Sequence, residues 1–173
     1  MRWAQRPVRV ASFAFFDLET TGLRPDRGAR ITEAAVVGRG EALIDWQRDA
    51  EDASSLAALL PRLLGRFEGR VVVGHHLSFD FRFVAYEARR HRLSLPRLQF
   101  IDTLGLARAA LGTAHDGQLE ALLRRFDLVP EGPLHTALVD ARAARALFWH
   151  LVEEGDLQTL ADAGAKPLAW TAP

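Results

Sequence analysis

Residues Ser12 to Leu23 read SFAFFDLETTGL, an apolar run that ends in two acids and a glycine turn. Side chains of a strand alternate between faces, so Phe13, Phe15, Asp17 and Glu19 share one face and Ala14, Phe16 and Leu18 share the other. Both faces open apolar. That is how a central strand covered on both sides reads, and it points to an α/β layered fold. Yet the strand ends on two carboxylates aimed the same way. Like charges repel, and a buried charge is costly unless it is paired or coordinates a metal. The compensation must come from elsewhere in the chain.

Outward from this strand the pattern stays α/β. Arg24–Gly28 (RPDRG) is turn chemistry. Arg30–Gly38 and Glu41–Trp46 read as two further strands, and the Gly38-Arg39-Gly40 break between them as a hairpin. From Ala53 to Phe67 a helix is predicted, because Leu56, Leu59, Leu60, Leu63, Leu64 and Phe67 recur at helical spacing. Arg70–Gly74 is a short apolar strand, followed by a helix over Phe79–His91 and a strand over Leu98–Asp102. Helices are expected over Thr103–Leu111, Gln118–Phe126 and His135–Glu153, with a loop at Val129–Pro133. Three strands, then helix and strand in alternation, give a mixed sheet of about five strands flanked by helices on both faces. The expected division is an N-terminal extension (1–11), one domain (12–153) and a C-terminal tail (154–173). In that tail Leu157–Asp162 (LQTLAD) lacks the aromatic end of a clamp-binding peptide, and packing on the domain is the expectation.

The totals narrow the function. At 173 residues and 49% hydrophobic content the chain suits one domain with a sizeable core. Charges balance, 22 against 22, so nucleic acid would have to be bound through a local patch or a metal site rather than a basic field. With no cysteine, disulfides, zinc thiolates and cysteine nucleophiles are excluded. The apolar run after Arg2, Arg6 and Arg9 is short and is cut by Asp17, so neither a signal peptide nor a membrane span is expected, and the location expected is cytoplasmic. Charge is uneven along the chain. Phe81–Arg97 holds five arginines against Glu87, and Glu41–Leu56 five acids against Arg48. A solvated helix face is the ordinary account of such runs, although the basic one adjoins a candidate motif.

Two further stretches answer the opening acids. In GHHLSFDFRF (Gly74–Phe83) Asp80 falls near a helix start, where a negative charge is favourable. In HTALVDARAARALFWHL (His135–Leu151) Ala137, Ala141, Ala144, Leu147, Phe148 and Leu151 form a core stripe, and Asp140 sits inside it. An acid paired with Arg142 or Arg145 is the plain reading of Asp140, but the alanines around it leave room for something to approach. His135 lies five residues earlier, after Gly132-Pro133. Asp17, Glu19 and Asp140 are thus acids at positions that the pattern buries. Converging oxygens suit hard divalent cations, Mg²⁺ or Mn²⁺, and a pair of such ions clamps an in-line phosphoryl displacement. A neutral histidine nearby can take the proton of an attacking water.

These stretches resemble the DnaQ-like family of 3′–5′ exonucleases in its DEDDh branch, which includes the proofreading epsilon subunit of bacterial DNA polymerase III. Asp17-Leu18-Glu19-Thr20-Thr21-Gly22 is similar to the family's first motif, His75-His76-Leu77-Ser78-Phe79-Asp80 to its second, and His135 to Asp140 to its third. The branch with a tyrosine four residues before the last aspartate does not fit, because Thr136 stands there. The resemblance implies an RNase H-like fold and a two-metal site of Mg²⁺ or Mn²⁺. It implies direct metal ligation by Asp17, Glu19 and Asp140, with Asp80 completing the site partly through water, and His135 as general base. It further implies that Thr20, Thr21, Gly22, Leu23 and Phe79 hold the terminal nucleotide, with His75 and His76 on the substrate side. The activity implied is release of nucleoside monophosphates from single-stranded or frayed 3′ ends, DNA being favoured. An exoribonuclease of the same family and a non-catalytic nucleic-acid-binding module are the alternatives, and a DNA polymerase is a partner to consider. Two departures stand out. His76 replaces the usual asparagine, and Asp45–Leu56 lacks the family's histidine-bearing H-G-I stretch.

Overall fold

The computed structural model describes residues 2–50, 55–112 and 117–170. β1 (Phe13–Thr20), β2 (Ile31–Val37) and β3 (Ala42–Gln47) run as an antiparallel meander. Then come α1 (Leu56–Phe67), β4 (Val71–Gly74), α2 (Ser78–Arg90), β5 (Gln99–Asp102), α3 (Thr103–Leu111), α4 (Leu119–Arg125), α5 (Ala137–Glu154) and β6 (Lys166–Pro167). The sheet order is β3-β2-β1-β4-β5-β6. β1 pairs antiparallel with β2 and parallel with β4, and β4 pairs parallel with β5, so the sheet is mixed.

About five strands are expected from the sequence, and among the described residues the sheet has six. The sixth, Lys166–Pro167, is too short to show alternation. It pairs antiparallel with β5 at the sheet edge, where a proline's missing N–H does no harm. Ser55 caps α1, its side chain accepting from the Ala58 N–H at 3.3 Å. Ala53, with which that helix is expected to begin, lies outside the described residues, as does part of the acidic 45–56 stretch.

The central strand divides the core as its alternation predicts. Phe13 and Phe15 join the cluster under α3, α4 and α5, with ring centroids 5.1 and 5.8 Å from Phe148 of α5. Ala14, Phe16 and Leu18 join the cluster under α1 and α2, where Phe16 meets Phe67 at 5.0 Å. Asp17 and Glu19 therefore emerge on the α5 face.

Unequal strand lengths make the site. β1 pairs with β4 only from Phe13 to Phe15, and β4 ends at Gly74, while β1 runs on to Thr20. The overhang carries Asp17 and Glu19 past the neighbouring strand. The chain then turns from β4 into α2 in close contact with β1, and Gly74 permits it. A Cβ there would stand 2.5 Å from the Phe16 carbonyl oxygen and 2.6 Å from Leu77.

The flanking segments pack on one another. Val8 N–H donates to the Gln158 carbonyl at 2.9 Å, Leu160 N–H to the Arg6 carbonyl at 3.0 Å, and Ala161 N–H to the Ala4 carbonyl at 2.8 Å. Val8, Leu160 and Ala163 are buried in the α5-side cluster. Trp170 stacks edge-on against Phe81 and donates to the Pro96 carbonyl at 2.8 Å. Among the described residues no helix is long and apolar enough to cross a membrane.

Candidate active site

Four acids and a histidine meet where β1 overruns β4. Asp80 sits in the first turn of α2 and is 3% exposed. Its Oδ1 accepts the Leu18 N–H at 3.0 Å, a donor that β4 is too short to reach. The bond ties the start of α2 to the overhang between Asp17 and Glu19. Asp140 lies in the first turn of α5. Negative charge is favourable at both helix starts.

Electrostatically these acids are in conflict. Burial, then the charges of Asp80, Asp140, Glu19 and Glu33, push the Asp17 carboxyl well above its ordinary range. Burial likewise holds Asp80 well above it, against the lowering effect of its backbone hydrogen bonds. Glu19 and Asp140 are raised as well, each first by burial. Among the described residues no arginine or lysine forms an ion pair with any of the four. The arginines that could have neutralised Asp140 are engaged elsewhere, Arg142 with Glu131 at 3.2 Å and Arg145 with the Arg39 carbonyl at 2.6 Å. Glu19, His135 and Asp140 each offer a ligand atom, all within 4.8 Å of one another. Carboxylate oxygens crowded together without an arginine or lysine partner fit a hard divalent ion, with Glu19 and Asp140 beside His135 and with Asp17 and Asp80 close enough to raise one another or their neighbours.

His135 is exposed on the turn into α5, with a positive φ of 68°. Its N–H donates to both oxygens of Asp140, at 3.2 and 3.3 Å. That carboxylate so holds a backbone shape that non-glycine residues seldom adopt.

The expected substrate residues fall into two groups. Thr20 Oγ1 donates to the Gly22 carbonyl at 2.8 Å, and Thr21 Oγ1 accepts the Arg30 N–H at 2.9 Å, fixing the turn. Thr21, Gly22 and Leu23 line a depression of about 540 Å³ together with Arg24 and Arg27, and Leu23 is 75% exposed. Phe79 is half-buried against Phe83 at 5.1 Å, with Arg82 of the basic run 6.0 Å above its ring. On the other side, His75 and His76 line a cavity of about 780 Å³ that reaches His135 and Asp140. The His75 ring is engaged internally, Nδ1 with Thr103 Oγ1 at 2.8 Å and Nε2 with the Gly117 carbonyl at 2.7 Å. Burial lowers its pKa. His76 is exposed, its N–H donating to Asp102 Oδ1 at 2.9 Å.

Sequence reasoning passed over two acids here. Asp102 caps α3 through the Leu104 N–H at 3.0 Å while it holds His76. Glu33 of β2 stands directly opposite Glu19, and its charge raises Asp17, Glu19 and Asp140. An acid inside the otherwise apolar run ITEAAVV is the signal that could have singled it out.

The RNase_T exonuclease family profile matches residues 43–148, a span that holds Asp80, His135 and Asp140. A DNA polymerase III subunit epsilon-like protein of Rhodobacter capsulatus is 32% identical over 86% of this chain and 25% of its own length. A PolC-type DNA polymerase III of Thermotoga maritima is 29% identical over 83% of this chain and 12% of its own. The chain thus spans a quarter or less of the length of these two relatives. Among solved structures, exonuclease X in complex with 5′ overhanging duplex DNA aligns with a TM-score of 0.59 at 21% identity, over 88% of this chain and 99% of that one. The Mg²⁺- and Mn²⁺-bound form of S. pombe Pop2p aligns with a TM-score of 0.63 at 13% identity, over 84% of each chain. With the profile covering more than half of its residues, the chain belongs to the exonuclease family, in the DnaQ-like 3′–5′ group with an RNase H-like α/β fold.

Proposed function

We propose that this chain hydrolyses the terminal phosphodiester of a single-stranded or frayed 3′ end, releasing nucleoside monophosphates, with DNA as the favoured strand. One observation carries the reading: Asp17, Glu19, Asp80 and Asp140 converge beside His135 with no arginine or lysine among the described residues paired to them. Two divalent ions, Mg²⁺ or Mn²⁺, would be held by Asp17, Glu19 and Asp140, with Asp80 partly through water. When bound they supply charge stabilisation to the attacking and departing oxygens.

The remaining work falls to the chain itself. His135, exposed and near Glu19 and Asp140, takes the proton of the attacking water in its neutral form. The Thr20–Leu23 turn offers backbone groups to the terminal sugar, and Leu23 and Phe79 offer apolar faces to its base. A site that grips a base by its faces needs it unpaired, which supports single-stranded or frayed ends. His76 and the cavity beneath it lie on the substrate side. The DNA preference rests on the relatives named as DNA polymerase III, which also make a DNA polymerase the partner to test. The proposed location is the cytoplasm.

The test uses matched DNA and RNA oligonucleotides labelled at the 5′ end, with Mg²⁺ or Mn²⁺. Stepwise shortening from the 3′ end is expected, faster on DNA, and absent in Asp17→Ala and Asp140→Ala. Faster shortening of RNA would move the reading to an exoribonuclease. Binding without cleavage by the wild-type chain, with either metal, would sink the enzymatic reading.

A further inference from the structure

We propose that Glu33 is a positioning residue of the active centre, holding the first turn of α5, and with it His135 and Asp140, against the overhanging end of β1. The proposal rests on the exonuclease reading above. Glu33 lies on β2, half-buried, with Glu19 as its cross-strand partner. Like charges directly opposite in an antiparallel pair destabilise it. Stability alone would not favour an acid there.

Its side chain meets a specific need. The first N–H groups of a helix have no partner within the helix. In α5 the N-cap residue Thr136 does not cap, because its hydroxyl turns back to the Pro133 carbonyl at 3.3 Å. Glu33 Oε2 instead accepts the N–H of Ala137, the first residue of α5, at 3.0 Å across 104 residues of sequence. Ala137 is 1% exposed, so its N–H is a buried donor that takes its partner from Glu33, and losing that partner is costly.

The turn is therefore held from two sides. Asp140 accepts the His135 N–H, which stabilises the left-handed backbone at His135. But Asp140 is also a candidate cation ligand, so its oxygens serve two tasks at once. Glu33 fixes the same turn through the next helical residue, independently of what Asp140 binds. Its negative charge also falls on Asp17, Glu19 and Asp140, so a rival account makes Glu33 a purely electrostatic member of the site.

Three variants separate cap from charge. Glu33→Gln keeps an acceptor for Ala137 and removes the charge. Glu33→Asp keeps the charge and withdraws the acceptor by one methylene, and Glu33→Ala removes both. In the ¹H–¹⁵N spectrum of the metal-free protein, the Ala137 amide is expected to shift in Glu33→Ala and Glu33→Asp and to stay near its wild-type place in Glu33→Gln. A misplaced catalytic turn should cost Glu33→Ala and Glu33→Asp roughly tenfold to 10²-fold in kcat with little change in KM, and Glu33→Gln should keep most of the rate. An unmoved Ala137 amide in Glu33→Ala, a full rate in that variant, or equal losses in Glu33→Gln and Glu33→Ala would each overturn the proposal. Should Glu33→Ala fail to fold, the contrast between Glu33→Asp and Glu33→Gln decides it alone. The spectrum needs no substrate. If the wild-type chain cuts nothing, the exonuclease reading falls while the Ala137 amide still reports whether Glu33 holds α5.

Discussion

Asp17 shows how far a single residue is shaped by neighbours remote in sequence. It is raised by burial and by four other acids, three of them on other strands or helices. The sign of its contribution follows. Its folded pKa lies above the unfolded value of about 3.9, so the folded chain holds that proton more tightly. The stabilisation is complete below the unfolded value and is lost as pH rises through the raised folded one. Above the unfolded value, without metal, this buried carboxyl therefore opposes folding relative to a neutral side chain. Asp17→Asn should therefore raise the metal-free Tm at pH 7.5, and this gain should shrink toward pH 4. Mg²⁺ or Mn²⁺ should raise the wild-type Tm and leave the variant nearly unchanged. Scanning calorimetry of both chains at both pH values, with and without metal, checks this. A metal-free variant that is less stable than wild type at pH 7.5 would contradict it. The opening acids, their shared face and the conflict between them were all legible in SFAFFDLETTGL. Glu33 was not read as part of the site, because its partner Ala137 is found only once β2 and α5 are packed together.

At the scale of elements, the strand and helix order was legible because each periodic run is long enough to declare itself. The ends were less so. β1 runs to Thr20 because the pairing with β2 continues through Glu19 to Thr20 after β4 has ended. β6 has two residues and takes its strand character wholly from the edge of β5. The seam between β1 and β4 depends on Gly74, where backbone approach leaves no space for a methyl group. Gly74→Ala must push β4 from the Phe16 carbonyl or displace Leu77. It should cost about 1–3 kcal/mol of stability, and it should loosen the bond from Leu18 N–H to Asp80. Urea unfolding gives the first quantity, and loss of Mn²⁺ affinity by calorimetry reports the second. Unchanged stability would show that the seam yields more easily than its geometry allows.

Across the whole molecule, the sequence sets an N-terminal extension and a C-terminal tail beside the domain and expects the tail to pack on it, and the structure packs both segments against the core. A strand-sized pattern is absent from residues 155–165, and the burial there comes from single residues that meet the N-terminal segment. Leu160 is the clearest case. It is 2% exposed, sits in the same cluster as Phe15 and Phe148, and donates its N–H to the Arg6 carbonyl. Leu160→Ala would leave a cavity between the two terminal segments and α5. Such truncations in cores cost about 2–5 kcal/mol, whereas a side chain on an accessory tail would cost within about 0.5 kcal/mol. The loss should appear as a shift in a single cooperative urea transition, seen equally by far-UV dichroism and tryptophan fluorescence. Because Leu160 lines neither cavity beside the acids, kcat below the unfolding range should stay at the wild-type level. A small early transition followed by an unshifted main one would instead mean that the tail unfolds on its own.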